Sequence, residues 1–342
     1  MRENPKTRRN RWASALSNAP AYVLMAQRMN VAQITTGPVK SVADLIDICE
    51  QLNGRPFDGP SMEWAFRGQP RDFGALIPSF QRQFSTQSYG AAELIEAKLI
   101  EAFRKHYSDL PGRSNDMPSP AQIGIGHDMR CLSVMQHYEI PTRLLDWTCN
   151  FWTAIYFACS NDPGSTAELW YYDRGIFVQQ RWKDLSLEAL MDRTANPAKE
   201  PDLLHRRPDN IAAELDPQIS PRMRQQYAHH TVTTSIFSDH ARYLIALGEW
   251  ISMMEPAAMS MAAAVGDGMP ERAELTTGEA SPPKSERPFP VQRVLIDGAC
   301  KSKALQFLAE SLNITASTIF PDVVGLGRFL RWQFDSLRTM LL

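Results

Sequence analysis

Apolar residues recur three or four positions apart in several stretches of the chain. This spacing puts them on one face of a helix, with polar residues on the other. One such helix has Ser41 as its N-cap and ends at Asn53-Gly54, because glycine commonly stops a helix. The other predicted helices are Gly90–Tyr107, Gln122–Tyr138, a helix capped by Thr148 or Asn150, Lys301–Asn313 and Gly325–Leu341.

Shorter stretches are rich in β-branched and aromatic residues, which favour strands. These predicted strands are Trp64–Arg67, Glu168–Tyr172, Thr231–Phe237 and Val291–Ile296. The strands do not alternate regularly with helices. The pattern therefore predicts an α+β fold rather than a doubly wound parallel sheet.

Two segments of unusual composition indicate the domain organisation, which is an N-terminal arm followed by one domain with an insertion. Residues 1–40 form a basic arm, either a solvated tail or an arm that docks nucleic acid or a partner. Residues 41–342 form a single domain. Within it, residues 255–290 are rich in Ala, Gly, Pro, Ser and Glu and lack an aromatic residue until Phe289. This composition predicts a disordered insertion, since a strand and two helices still follow it.

Bulk composition narrows the class of protein. The chain has 342 residues, of which 44% are hydrophobic and 22% charged, with a formal net charge of −2. That balance is typical of a globular protein without a global field that attracts nucleic acid or anionic membrane. The five cysteines are odd in number and never form CxxC, which argues against a disulfide framework and a metal site. No stretch approaches the ~18 apolar residues of a spanning helix, so a cytoplasmic location is expected.

Three segments place polar residues inside apolar stretches. The first is Phe66-Arg67-Gly68-Gln69, where a strand arginine is costly to bury unless an anionic group meets it. Its glycine would allow close approach of backbone or a ligand. The second segment is the run QHYEIPTRLLDWT from Gln136 to Thr148, and the third is PRMRQQY from Pro221 to Tyr227.

Together these segments resemble the FRG domain family over about 66–332. The resemblance rests on the Phe-Arg-Gly-Gln strand, the turn that ends in Thr-Arg-Leu-Leu-Asp-Trp-Thr, the helix Ala154–Ala158 and Phe320-Pro321-Asp322. Two positions depart from it. Family members usually read Gln-x-Gly-x-Phe-Thr where this chain begins with Gln226, and Glu139 stands in place of a common glycine.

A second resemblance is to ADP-ribosyltransferases of the Arg–Ser–Glu type. There, an arginine on the first core strand is followed by a Ser-Thr-Ser strand that leads into an Ala-x-x-Phe helix, and a later strand supplies a glutamate. Arg67 resembles the first element, and Thr148 with the Ala154–Phe157 helix resembles the second. Gln226 falls where the glutamate is usual. The resemblance implies split mixed or antiparallel sheets flanked by helices, with NAD as the substrate and no metal.

The same resemblance implies roles for particular residues. Arg67 would hold the pyrophosphate of NAD bidentately, and Thr148 would orient the nicotinamide ribose. Gln226 could bind a ribose hydroxyl but has no charge, so Asp146 or Glu139 would supply the anion that stabilises an oxocarbenium-like state. The candidate catalytic residues are Arg67, Thr148, Gln226 and Asp146, and the candidate NAD-binding residues are Phe66, Arg67, Gly68, Gln69, His137 and Arg143.

Most of these residues also have a structural interpretation. Arg67 could form a buried ion pair with Asp146. Arg143 could stabilise its own turn, Thr148 could cap the following helix, and His137 could be a hydrogen-bonded core histidine. The pair His229–His230 lacks companions at metal-ligand spacing and is expected to be structural.

Two functions therefore stay open. One is an ADP-ribosyltransferase-like toxin or defence effector that uses NAD to modify a nucleic acid or protein, a context that implies an antitoxin or chaperone partner. The other is a non-catalytic FRG module that binds a nucleotide or other anionic ligand and docks a partner. The matched order of the Arg67 and Thr148 elements favours the first, and the glutamine at position 226 favours the second.

Overall fold

The computed structural model describes residues 30–53, 61, 63–84, 89–107, 125–176, 211–214, 225–233, 236–249, 290–321 and 330. The predictions for the first 29 residues of the basic arm and for the insertion at 255–289 lie outside these ranges. So does nearly all of the closing helix predicted at 325–341. No helix in the described ranges has the length and apolar character needed to cross a membrane.

Within these ranges, seven strands form one mixed sheet in the order β1-β7-β4-β2-β3-β6-β5. Only β1 and β7 are parallel; every other neighbouring pair is antiparallel. The strands are β1 (Thr35–Val39), β2 (Trp64–Gln69), β3 (Leu145–Thr148), β4 (Ala167–Asp173), β5 (Ile211–Glu214), β6 (Ala228–Thr233) and β7 (Val291–Ile296). The predicted sheet flanked by helices is confirmed. Three of the predicted strands match closely, whereas the strand predicted at Thr231–Phe237 is offset: β6 begins at Ala228 and ends at Thr233, and Ile236 and Phe237 lie in a turn.

The helices are α1 (Val42–Asn53), α2 (Tyr89–Tyr107), α3 (Ile125–His137), α4 (Phe151–Cys159), α5 (240–249), α6 (Lys301–Leu312) and α7 (Ala316–Ile319). Five of them match predicted helices closely. Of the two candidate caps for α4, Asn150 takes the role, since its side chain accepts a hydrogen bond from the Thr153 amide at 2.9 Å. Helix α5 was not predicted.

The structure corrects the predicted boundary of the basic arm, which was placed at residue 40. Residues 35–39 form strand β1, which pairs in parallel with β7 at the edge of the sheet. Gly37 has a φ of +102°, and a Cβ atom there would lie 2.7 Å from the Leu295 carbonyl oxygen. The local sequence Thr-Thr-Gly-Pro-Val therefore fits an edge strand, where a glycine and a proline are tolerated.

Two hydrophobic clusters cover the two faces of the sheet. On one face, α1, α4 and α6 pack around Phe66 and Val294. On the other, α5 packs against Ala65, Trp147 and Trp170. All five cysteines are free thiols, and four of them are buried.

Gly68 sets the distance between strand β2 and helix α4. A Cβ atom at this position would lie 1.9 Å from the main-chain oxygen of Ala154, a distance that no packing can accommodate. The glycine of the Phe-Arg-Gly motif is therefore required because a helix backbone crosses the strand directly.

The sheet is weakest between β2 and β3. Strand β2 pairs with β4 along its whole length, and β3 does the same with β6. Between β2 and β3 the ladder has a single pair, Phe66 with Thr148. Beyond that pair the two halves of the sheet diverge, and the candidate site lies in this fork.

Candidate functional site

A cleft of about 290 Å³ opens at the fork between β2 and β3. Its walls come from β2, β3 and β6 and from the C-terminal ends of α3 and α4. It brings together all four candidate catalytic residues and most of the candidate NAD-binding residues. The predicted residues that line it are Phe66, Arg67, Gly68, His137, Asp146, Thr148 and Gln226.

Arg67 lies where the ladder between β2 and β3 stops. Its Nη1 donates a hydrogen bond to the main-chain oxygen of Asp146 at 2.7 Å, so it bridges the two diverging strands. Its Nε is buried and has no hydrogen-bond partner among the described residues. Burial lowers the pKa of Arg67, and the Asp146 carboxylate opposes that shift. The guanidinium nevertheless stays charged, since arginine does not deprotonate in proteins.

Asp146 supplies the negative charge of the cleft. Its side chain is 51% exposed, with Oδ1 3.1 Å from His230 Nε2 and Oδ2 2.8 Å from Gln136 Nε2. Burial acts to raise the pKa of this carboxyl, but the hydrogen bonds from His230 and Gln136 and the charge of Arg67 outweigh it and lower the pKa. The expected ion pair with Arg67 takes a different form, because Arg67 contacts the main chain of Asp146.

Thr148 and Gln226 join strand β3, the turn before β6 and helix α7. Thr148 Oγ1 donates to the main-chain oxygen of Gln226 at 2.6 Å and accepts from the Asn150 amide at 3.0 Å. Gln226 Nε2 donates to the main-chain oxygen of Ile319 at 3.2 Å. The only proton of the Thr148 hydroxyl is therefore already donated within the protein, so towards a ligand this hydroxyl could only accept.

Two predicted NAD-binding residues do not line the cleft. Arg143 is fully buried and binds both carboxylate oxygens of Glu96 on α2, with Nε 2.7 Å from Oε1. Gln69 is buried and donates to Glu168 Oε1 at 2.5 Å. Both side chains are held by protein groups away from the fork, so the structural interpretation of Arg143 is the one that the contacts favour.

Glu139 is also not a cleft residue. It is exposed, with a φ of +61°, and it follows the last turn of α3. The amides of Glu139 and Ile140 each bond to main-chain oxygens of that turn, Gln136 and Met135, at 3.0 Å. This is the Schellman arrangement, whose left-handed residue is usually glycine. The family glycine at this position thus ends a helix, and Asp146 is the only one of the two proposed anions that lines the cleft.

The sequence interpretation did not assign three polar residues of the cleft, Gln136, Asn161 and His230. His230 was expected to be structural, yet it lies directly opposite Asp146 in the ladder between β3 and β6. Its neighbour His229 faces the other side of the sheet, 2.8 Å from the Tyr172 hydroxyl, and burial lowers its pKa to about 3. The signal that could have found His230 is the alternation of a strand, which separates adjacent residues onto opposite faces.

Metal ligands do not cluster in the described part of the chain, where no three His, Cys, Asp or Glu side chains come together. The fixed charges at the cleft are those of Arg67 and Asp146.

Comparison with known families agrees with the first two motifs. The model of the FRG domain matches residues 62–166, a span that holds both strands of the fork and helix α4. No curated protein and no solved structure matches the chain. The match ends before the third segment at 221–227, so Gln226 lies outside it. An FRG domain is therefore detected at residues 62–166 of this chain, and both strands of the fork lie within that span.

Proposed function

We propose that the cleft binds NAD and that the protein is an ADP-ribosyltransferase-like enzyme in which Asp146 takes the place of the usual glutamate. One observation carries the proposal. At the fork of the sheet, an ionised and half-exposed carboxylate lies beside an arginine with an unsatisfied donor. A dinucleotide with a cationic nicotinamide ring and an anionic pyrophosphate has the charges that this pair of residues complements.

The chemistry needs a negative charge at one point. The bond between ribose C1′ and the nicotinamide nitrogen breaks, its electron pair leaves with nicotinamide, and positive charge develops on the ribose. A carboxylate stabilises that charge far better than an amide. A nucleophile of the acceptor then bonds to C1′ and loses its proton to water. Asp146 is suited to this role because its pKa is lowered, so it is charged at neutral pH.

Arg67 is the proposed phosphate contact. One Nη1 hydrogen is donated to the Asp146 carbonyl, and among the remaining donors of the guanidinium, Nε is buried and has no partner among the described residues. An arginine donor that meets a phosphate oxygen forms a charge-assisted hydrogen bond, which is about twice as strong as a neutral one. The cost of the unsatisfied donor in the free protein would be recovered when the ligand binds.

Thr148 and Gln226 have supporting roles in this proposal. The Thr148 hydroxyl joins β3 to the turn before β6, and this bond fixes the part of the cleft wall that these two elements form. Gln226 anchors its amide nitrogen on α7 and leaves its oxygen to accept from a ribose hydroxyl. The wider proposal, a toxin or defence effector that modifies a nucleic acid or protein and is restrained by an antitoxin or chaperone, rests on the sequence resemblance alone.

Specific contacts also favour a second candidate, a non-catalytic FRG module that binds a nucleotide. The Thr148 proton and one Gln226 amide donor are already used within the protein. No glutamate stands at the third segment. In this case Arg67 and Asp146 would recognise a ligand without cleaving it.

Turnover of NAD separates the two candidates. The purified chain is incubated with NAD labelled on the adenylate and on nicotinamide, together with RNA, DNA and protein acceptors in turn. We expect nicotinamide release and labelled acceptor from the wild type. Asp146→Asn should reduce the rate by about a hundredfold or more, since it removes one well-placed charge. The matched control is Asp47→Asn, an exposed aspartate on α1, which should keep the wild-type rate.

Calorimetry with NAD, ADP-ribose and ATP completes the test. A folded wild type that binds a nucleotide but releases no nicotinamide with any acceptor would support the non-catalytic module and reject the enzyme. A folded wild type that binds none of the three ligands would reject both. Equal rates for Asp146→Asn and wild type would remove Asp146 from the mechanism.

A further inference from the structure

We propose that His230 and Gln136 are positioning residues, which hold the two oxygens of the Asp146 carboxylate from opposite sides and present it to the ligand in one orientation. This inference rests on the proposed function of Asp146, but its first test below does not need activity. It concerns one network, defined by Ser133, His230, Asp146, Gln136 and Thr142, which we call the carboxylate clamp.

The first arm of the clamp comes from strand β6 and helix α3. His230 is 1% exposed, and its Nε2 lies 3.1 Å from Asp146 Oδ1. An ionised carboxylate can only accept, so Nε2 must carry the proton. The hydroxyl of Ser133 lies 3.5 Å from Nδ1, the other ring nitrogen. These contacts therefore link Ser133 through His230 to Asp146.

The second arm lies within the segment 136–146. Gln136 Nε2 is 2.8 Å from Asp146 Oδ2. Its Oε1 accepts from the Thr142 hydroxyl at 2.6 Å, and that hydroxyl in turn accepts from the Leu144 amide at 3.1 Å. Because the Asp146 carboxylate only accepts, the nitrogen of Gln136 must face it, and the oxygen of Gln136 then takes the proton of the Thr142 hydroxyl. The amide of Gln136 therefore has only one orientation, with its nitrogen towards Asp146.

Both arms end on the Asp146 carboxylate, and each arm donates one hydrogen bond to one of its two oxygens. With both oxygens held, the plane of the group is fixed, although the side chain is 51% exposed. An exposed aspartate without such contacts samples several rotamers. In a site that stabilises a developing charge, a shift of about 1 Å can cost about a hundredfold in rate, so fixing the carboxylate has a functional consequence.

A purely structural role is the competing explanation, since the clamp also joins α3 to β3 and β6. The two roles differ in what they predict. A structural clamp lowers stability when it is broken and leaves the properties of the folded site unchanged. A positioning clamp changes the charge and the orientation of Asp146 in protein that remains folded.

The first test measures the Asp146 carboxyl itself, by carbon-detected NMR titration of the full-length chain. The variants are His230→Ala, Gln136→Leu and the conservative His230→Gln, whose amide can still donate. We expect the midpoint of Asp146 to rise in both truncations and to return towards the wild-type value in His230→Gln. The control is His229→Gln, on the opposite face of β6, which should leave the midpoint unchanged. An unchanged midpoint in both truncations would overturn the inference.

The second test measures nicotinamide release. Loss of orientation should lower kcat by about a hundredfold in His230→Ala and leave KM little changed, since the group acts on the transition state. His230→Gln should recover most of the loss. Ser133→Ala removes only the hydroxyl next to His230 Nδ1, and this variant replaces the larger truncations in the test if those do not fold. We expect a smaller loss of the same kind from it.

The outcomes separate this inference from the proposed function. A wild type without activity rejects the proposed function, and the titration alone then decides whether the clamp exists. An active wild type with an inactive Asp146→Asn variant, and with full kcat in both truncations, would overturn the positioning role.

Discussion

Two arginines of the FRG motifs, Arg67 and Arg143, sit in contrasting surroundings. Arg143 is sealed between α2 and β6, with both oxygens of Glu96 and the main-chain oxygen of Thr233 around its guanidinium. Arg67 has one main-chain contact and one buried donor that no described residue satisfies. Burial alone therefore does not mark a functional arginine. What distinguishes the two is whether the protein itself satisfies the donors.

Adjacent histidines on β6 repeat this contrast. His229 points into the hydrophobic side of the sheet and contacts Tyr172, whereas His230 points into the cleft and contacts Asp146. One residue of offset along a strand reverses the face, so neighbouring side chains of the same type have different roles. The following predictions compare side chains that are paired within the protein, such as Arg143 and His229, with side chains that line the cleft.

The largest effect of a single substitution is expected at the buried ion pair between Arg143 and Glu96. Arg143→Met leaves the Glu96 carboxylate buried without its partner, which should lower the free energy of unfolding by about 3–5 kcal/mol. Adding Glu96→Leu to this variant should restore much of the lost stability, because it removes the unpaired buried charge. Chemical denaturation of the two single variants and the double variant checks this. An Arg143→Met variant as stable as wild type would contradict the sealed ion pair.

The next prediction is that acid lowers the stability of the protein through two buried histidines. Burial lowers the pKa of His229 and His240 to about 3, below the usual value of 6.5. Between those values the unfolded chain binds protons that the folded chain does not, so stability falls as the pH is lowered. The slope approaches about 1.4 kcal/mol per pH unit for each histidine.

Denaturation midpoints at several pH values between 7 and about 4 measure this slope, within the window set by the two histidines. The raised pKa values of Glu168 and Asp239 act in the opposite sense and reduce the net slope. The double variant His229→Gln, His240→Gln should flatten the profile. An equally steep profile in that variant would assign the acid sensitivity to other groups.

Arg67→Lys should have a moderate effect, on binding more than on stability. Lysine keeps the charge but lacks the planar fork, so NAD affinity should fall by about tenfold, a loss of about 1.4 kcal/mol. Arg143→Lys is the matched variant, and it should reduce stability without a specific loss of affinity in the folded fraction. Equal NAD affinity in Arg67→Lys and wild type, measured by calorimetry, would remove Arg67 from the ligand site.

The smallest effect is expected at Gln226. Its side-chain nitrogen is bound to the Ile319 carbonyl oxygen. In the proposed function its side-chain oxygen therefore accepts one neutral hydrogen bond from a ribose hydroxyl, a contact typically worth about 0.5–1.5 kcal/mol. Gln226→Ala should therefore reduce nicotinamide release by about tenfold at most. A loss of a hundredfold or more would show that the amide has taken the role of the missing glutamate, at the expense of Asp146.

The sequence by itself determined the helices and strands that bury an apolar face. Helices α1, α2 and α4 follow from local periodicity, and strands β2, β4 and β7 follow from a local excess of β-branched and aromatic residues. The first two motifs located the cleft residues Arg67, Asp146 and Thr148. Strand β3 escaped prediction because four residues between a polar turn and a helix cap carry too little period to recognise. Strand β5 has the same length and also escaped prediction.

Only the tertiary structure decided which polar residues share the site. Arg143 and Arg67 are indistinguishable as charges within apolar sequence, and it is the distant Glu96 that removes Arg143 from the cleft. The pairing of Asp146 with His230 depends on the register of β3 and β6, 84 positions apart in the chain. Local sequence sets which way a side chain points from its own element. The partner that satisfies it is set by packing between elements, which no local pattern encodes.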